Sequence, residues 1–317
     1  MLHKFCKTEA GKGTKSFLIE IKFNDGVIVP QLSKTRRLSI RSNIPSFISS
    51  KPLCPHTRPL FVFSEDQECL FIELISPEAF KLLRVLDAKR IIFLHIDSDM
   101  YYLLHMRYFA LSSSMSVLPA HLSKLCNIQT LLVNTTSRTL DVKLDVLEFT
   151  QLRHFKTNAS ANLYKVGKPG KGGEKIRSLG TISPESCTKE LFNRSRNLKK
   201  MGIRGKLSLL LEGRIISFDS LAELGCLEHL KLISDVYPIL PSVGRLESLP
   251  PHNKFPQTLK SLTLAGTYLD WSQMSILALL EKLEVLKLKN KAFVGRIWET
   301  EEGGFQTLQV LHIEETK

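Results

Sequence analysis

LEHLKL at Leu227–Leu232, LKSLTL at Leu259–Leu264, LEVLKL at Leu283–Leu288 and LQVLHI at Leu308–Ile313 are one phrase written four times. Aliphatic residues stand at its first, fourth and sixth places. On a strand, residues two apart point to the same side, so the fourth and sixth face a core and the fifth faces out. The first closes the turn that leads into the strand. A unit with one apolar face cannot bury that face alone, so it stacks on the next unit.

Working outward, the fourth-place aliphatic serves as a marker. The markers are Leu38, Leu60, Leu86, Phe109, Leu131, Phe155, Leu179, Met201, Leu230, Leu262, Leu286 and Leu311. The steps between them are 22, 26, 23, 22, 24, 24, 22, 29, 32, 24 and 25 residues. Their mean of about 25 lies within the roughly 20–29 residues of a leucine-rich repeat. The units at Leu38 and Leu60 lack the first leucine, and the unit at Leu179 is also weak. Between phrases, Leu118, Leu122, Leu125 and Ile128 have helical or 3₁₀ spacing, as do Leu221–Leu227 and Ile276–Leu283. The sequence therefore predicts an α/β solenoid. It is a leucine-rich repeat horseshoe of about twelve irregular repeats, with parallel β-strands on the concave face. Residues 34–317 form the repeat domain, and residues 1–33 precede it. Two segments read as loops: Ala161–Glu174, rich in glycine and flexible, and Leu240–Pro256, with four prolines.

Among 317 residues the formal net charge is +13. It is uneven: residues 1–50 carry +6, residues 51–150 carry −1, residues 151–206 carry +11 and residues 207–317 carry −3. A cationic band steers acidic partners. Nucleic acid is the weaker expectation, because only Phe155, Tyr164 and Phe192 interleave the band, and plain solubilising charge is a third reading of equal standing. Six scattered cysteines without a CxxC pair suit reduced thiols. No apolar run reaches the 18 residues of a membrane span, and the N-terminus has no apolar leader core. The sequons at Asn134, Asn158 and Asn193 would matter only in an extracellular chain.

A search for chemistry assigns no catalytic, cofactor-binding or metal-binding residue. Gly11–Ser16 (GKGTKS) departs from a phosphate loop, which ends in Gly-Lys-Ser/Thr after a strand. Lys168–Gly173 (KPGKGG) lacks the helix that must follow. His3 and Cys6 have no second ligand pair, and Asp97 with Asp99 fits an inter-repeat turn. The expectation is a non-enzymatic chain.

Several phrases resemble the leucine-rich repeat region of plant intracellular immune receptors of the nucleotide-binding type. They are most like the late blight resistance proteins of the nightshade family. They are TRRLSI (Thr35–Ile40), FKLLRVLD (Phe80–Asp87), MRYFAL (Met106–Leu111), LPAHLSKLCNIQTLLV (Leu118–Val133) and FPQTLKSLTLAGTYLDW (Phe255–Trp271). Met1–Cys6 (MLHKFC) is similar to the helix after that family's Met-His-Asp switch. The resemblance implies that residues 1–33 are a winged-helix remnant and linker, and that ATP or ADP would bind a module upstream. It implies a part of a longer receptor, or a truncated product of such a gene, acting in defence, including the hypersensitive response, through protein–protein contacts. The implied partners are a pathogen effector or guarded host protein and the nucleotide-binding module, with no membrane span. The implied place is the cytoplasm, with membrane-peripheral or nuclear locations as alternatives. The competing readings are a generic adaptor, such as a ubiquitin-ligase substrate receptor, and a truncated fragment without function. The outward strand positions expected to meet a partner are His229, Lys231, Ser261, Thr263, Lys287, Lys289, His312 and Glu314. Lys199, Lys200, Arg204 and Lys206 are the expected basic contact for the nucleotide-binding module or another acidic partner.

Overall fold

The computed structural model describes residues 19–21, 32–41, 44–63, 69–70, 76–96, 98–164, 166, 170–211, 218–235, 246–298 and 302–314. It divides into two compact units. One is Met1–Arg138 with Phe149–Leu152, and the other is Thr139–Glu148 with Arg153–Lys317.

The first unit is a parallel ladder of β1 (Ile19–Ile21), β2 (Leu38–Ile40), β3 (Pro59–Val62), β4 (Val85–Phe93), β5 (Tyr108–Ser113) and β6 (Thr130–Thr135). The second is a parallel ladder of β7 (His154–Asn162), β8 (Ser178–Ile182), β9 (Lys200–Gly205), β10 (His229–Ser234), β11 (Ser261–Ala265), β12 (Val285–Lys289) and β13 (Val310–Glu314). The markers set the register of both. Leu38, Leu60, Leu86, Phe109 and Leu131 align strand to strand in the first unit. Phe155, Leu179, Met201, Leu230, Leu262, Leu286 and Leu311 align in the second. One strand comes in addition to the twelve: β1 pairs Ile19 with Leu38, so the ladder begins upstream of residue 34. Met1–Cys6, Gly11–Ser16, Lys168 and Asp97 lie outside the described residues.

Each place in the phrase has a physical task. Leu230, Leu232, Leu262, Leu264, Leu286 and Leu288 are all buried, and so are the leading Leu227, Leu259 and Leu283. The leading residue closes a turn: Leu227 N–H donates to the Leu224 carbonyl at 3.0 Å, and Leu283 N–H to that of Leu280 at 3.1 Å. Two successive amides then converge on one carbonyl of the previous strand. Lys260 and Ser261 both donate to Glu228, each at 2.9 Å, and Arg107 and Tyr108 both donate to Arg84, at 2.8 and 3.0 Å. Where the leading leucine is missing, a threonine does its work. Thr35 and Thr57 are fully buried, and the Thr57 hydroxyl donates to the Thr35 carbonyl at 2.9 Å. A buried hydroxyl that keeps a partner costs little, so the weak units still stack.

Several segments between strands carry short helical turns, as their spacing predicts. Ala120–Lys124 is 3₁₀ and buries Leu122, with Leu118, Leu125 and Ile128 also buried. Helix α1 (Asp219–Ala222) buries Leu221, and helix α2 (Met274–Ala278) buries Met274 and Leu277.

The glycine-rich segment differs from its reading as a flexible bulge. Its described end, Gly170–Glu174, is tied to a buried ion pair. Arg194 Nη1 donates to Asp145 Oδ2 at 2.7 Å, and the two side chains are only 5% and 8% exposed. Arg194 Nη2 donates to the Lys171 carbonyl at 2.6 Å. Gly172 has φ +91°, and a Cβ there would lie 2.2 Å from the Leu147 carbonyl oxygen. The glycines are needed for this close approach, not for mobility.

Candidate partner-binding surface

The outward rows follow from the register. In the second unit the third-place row runs His154, Ser178, Lys200, His229, Ser261, Val285 and Val310. From β9 to β13 the fifth-place row runs Gly202, Lys231, Thr263, Lys287 and His312, and Lys289 and Glu314 pair two places further along β12 and β13. The eight residues expected to face a partner thus lie on the outward rows, none of them buried. Some of their charge is already met. Lys289 Nζ pairs with Glu314, and His312 Nε2 lies 3.2 Å from the same carboxylate. These contacts, the Lys289 hydrogen bond first, hold the Glu314 carboxyl below its usual range.

The expected basic contact is likewise partly neutralised. Lys199 Nζ lies 3.2 Å from Glu228, whose carboxyl is lowered first by that hydrogen bond. Arg204 Nε lies 3.0 Å from both oxygens of Asp235, and its Nη1 donates to the Asn158 carbonyl at 2.5 Å. Lys206 is half-buried and Lys200 is exposed. Of the four, Lys200 opens onto a hollow of about 280 Å³ in the outward face. Lys156 and Lys231 flank it, and Gly180 and Gly202 form its floor. Burial, then Lys156, Arg153 and Lys200, lowers the His154 pKa. Burial, then Lys200, lowers that of His229. Lys231 is lowered by burial, then by Lys289 and Arg204.

A second basic feature escapes the charge count. The second place of the phrase, in the first unit, is Arg36, Arg58, Arg84 and Arg107 on four successive rungs. Their backbones are joined: Arg58 N–H donates to the Arg36 carbonyl at 3.0 Å, Arg84 to Arg58 at 2.7 Å, and Arg107 to Arg84 at 2.8 Å. Arg36, Arg58 and Arg107 are exposed and Arg84 is half-exposed. Among the described residues none of the four guanidinium groups has a hydrogen-bonding or ion-pair partner. At a strand spacing of about 4.8 Å the column spans roughly 14 Å. Window sums conceal it, because acidic residues elsewhere in 51–150 cancel Arg58, Arg84 and Arg107 and Arg36 falls in another window. Aligning the repeats on their markers would reveal it.

Among the described residues no group of three His, Cys, Asp or Glu could hold a metal ion. No described helix is long and apolar enough to cross a membrane. Burial pushes the Cys54 thiol up to about 12 and raises that of Cys187. Neither is therefore a ready thiolate nucleophile.

No family model matches the chain. Disease resistance protein RPP13 of Arabidopsis thaliana is 27% identical over 310 residues, which are 95% of this chain and 35% of that protein. A putative late blight resistance protein homolog of Solanum demissum is 29% identical over 251 residues, 74% of this chain and 18% of that protein. The chain therefore spans about a third or less of the length of these relatives. Among solved structures, an internalin from Listeria monocytogenes shares the fold at 12% identity. Its TM-score is 0.50, covering 100% of this chain and 94% of that one. The fold is that of a leucine-rich repeat protein, and over most of its length the chain has plant disease resistance proteins as its homologues.

Proposed function

We propose that this chain is the non-catalytic recognition and autoinhibition region of a plant disease-resistance protein. It acts inside the cell, binds a pathogen effector or a guarded host protein, and holds a nucleotide-binding module inactive. The relatives support the setting, and the polar outward rows supply a protein-binding face. The observation that carries the reading is the arginine column. Four like charges on adjacent rungs repel one another, and such an arrangement gains its return from an acidic partner. Arg presents a planar fork that meets carboxylates bidentately. The column therefore takes over the contact expected of Lys199, Lys200, Arg204 and Lys206, of which Lys199 and Arg204 are internally paired.

The test is co-expression of the full chain with the nucleotide-binding module of an RPP13-type receptor, followed by capture at low and moderate salt. Capture should occur at low salt and fade as the Debye length shrinks to about 8 Å near physiological ionic strength. Arg58→Gln with Arg84→Gln should reduce low-salt capture on the order of tenfold, at about 0.7 kcal/mol per charge, within the range of exposed pairs. Absence of capture from a folded chain would overturn the reading.

A further inference from the structure

The hollow in the second unit is a site distinct from the arginine column, and its chemistry is specific. Its floor is Gly180 on β8 and Gly202 on β9, the two outward positions without side chains. Gly202 has no alternative. A Cβ there would lie 2.8 Å from the Thr181 backbone nitrogen, because β8 bulges at Thr181, whose φ is +50°. The depression is thus built into the backbone. Its walls are cationic: Lys156 on β7, Lys200 on β9 and Lys231 on β10. Among the described residues no carboxylate lines it. Burial and the neighbouring cations lower the pKa of His154, His229 and Lys231.

We propose that this hollow seats an acidic extended segment of a partner protein, with carboxylates bridging Lys156, Lys200 and Lys231 across the glycine floor. The inference rests on the reading of this chain as a protein-recognition region and names the chemistry that region selects. The dimensions fit. Lys156 and Lys231 stand three strand spacings apart, about 14 Å. Carboxylates on alternate residues of an extended chain project to one side about 7 Å apart, so three of them span the same distance. The low floor admits a backbone close to the sheet. A nucleic-acid strand fits less well, since it asks for a continuous basic track with stacking rings. Among the described residues no Phe, Tyr or Trp lines the hollow, and His229 is its one ring. On the rungs that carry His229 and Ser261 the preceding residues form the lysine–glutamate pairs Lys199–Glu228 and Lys260–Glu284.

The experiment is fluorescence anisotropy of the full chain with a labelled heptapeptide, Gly-Glu-Gly-Glu-Gly-Glu-Gly. The same peptide with glutamine at each glutamate and a seven-nucleotide single-stranded DNA serve as comparison probes. The glutamate peptide should bind at least tenfold tighter than the glutamine peptide at low salt. Lys156→Gln with Lys231→Gln should weaken it at least fivefold. Gly180→Ser should weaken it with the charges intact, because the new Cβ enters 3.2 Å from Lys156 Cγ. Lys189→Gln, on the helix Lys189–Arg194, should change it less than twofold. Equal binding of the two peptides, indifference to the double lysine variant, or indifference to Gly180→Ser would overturn the proposal. Tighter binding of the DNA would reassign the hollow to nucleic acid. The variants at Lys156, Lys231 and Gly180 leave the arginine column unchanged, so an indifferent hollow would leave capture of the nucleotide-binding module as a separate result.

Discussion

The second place of the repeat phrase carries one design in the first unit and the opposite one in the later strands of the second, beyond Arg153 and Arg177 on β7 and β8. In the first it is Arg36, Arg58, Arg84 and Arg107, four cations in succession without a described side-chain partner. In the second, from β9 onward, it alternates as Lys199, Glu228, Lys260 and Glu284, and neighbours pair across the rungs: Lys199 with Glu228 at 3.2 Å, Lys260 with Glu284 at 3.7 Å. The backbone is the same in both, two amides converging on one carbonyl. Sequence windows rank the regions the other way, with +11 over residues 151–206 and −1 over residues 51–150. A repeat fold lines up residues some 24 apart, so the charge available to a partner depends on the column and not on the window.

The sharpest way to test how the second unit absorbs its charge is its buried pair. Arg194 and Asp145 are about two repeats apart in sequence and nearly inaccessible, and Arg194 also holds the Lys171 carbonyl. Arg194→Ala leaves a carboxylate buried without its cation, which costs about 3–5 kcal/mol. Urea unfolding should show that loss in the second unit. A loss under about 1 kcal/mol, the value of a surface pair, would mean the charge is not truly buried and would weaken the contrast between the units.

That pair also marks where sequence reading stops. Within each unit the markers all fall in register, because a period-two strand and a fixed turn leave a leucine only one way to face the core. The convex turns at Leu118–Ile128 and α2 follow from the same spacing. Ile19–Ile21 lies in Phe17–Phe23, whose weak alternation fits a strand or a helix end. It fills the fourth and sixth places of the phrase but has Ser16 at the first, so a search for the leading leucine passes it by. Ala161–Glu174 misleads because glycine content reports backbone freedom, whereas Arg194 and Leu147, which fix Gly170–Gly173, are far from them in sequence. At the candidate site, the outward rows are legible from alternation. The partners that neutralise Lys199, Arg204 and Lys289 are not, nor is the hollow, which needs the bulge at Thr181.

A smaller effect asks whether the arginine column is under mutual repulsion. Arg58→Glu places an anion between Arg36 and Arg84, turning the first unit's column into the pattern of the second. Two repulsions become two attractions, so stability should rise by about 0.2–1 kcal/mol in low salt, with the gain screened away near 1 M, where the Debye length is about 3 Å. Capture of an acidic partner should fall at the same time. A stability loss would show that the Arg58 side chain has a packing role and that the column is not a reserve of free charge.

The smallest expected effect comes from the reverse exchange in the second unit. Glu228 is half-exposed, and its carboxyl is held below the usual range first by the hydrogen bond from Lys199, with Lys199, Lys260 and His229 adding to it. A depressed folded-state pKa means that the unfolded chain takes up the proton first as pH falls. The stabilisation is therefore present above the ordinary glutamate pKa of about 4.3 and is lost as pH drops through the lower folded value. Glu228→Gln should cost no more than about 0.5 kcal/mol at neutral pH, given exposure and screening, and should remove this part of the acid dependence. It also releases Lys199 beside Lys200, so the glutamate heptapeptide should bind slightly tighter, and more so at low salt. If the variant matched the parent in acid stability and in peptide affinity, the lysine–glutamate alternation would be geometry without consequence. The difference between the two columns would then lie in the arginines alone.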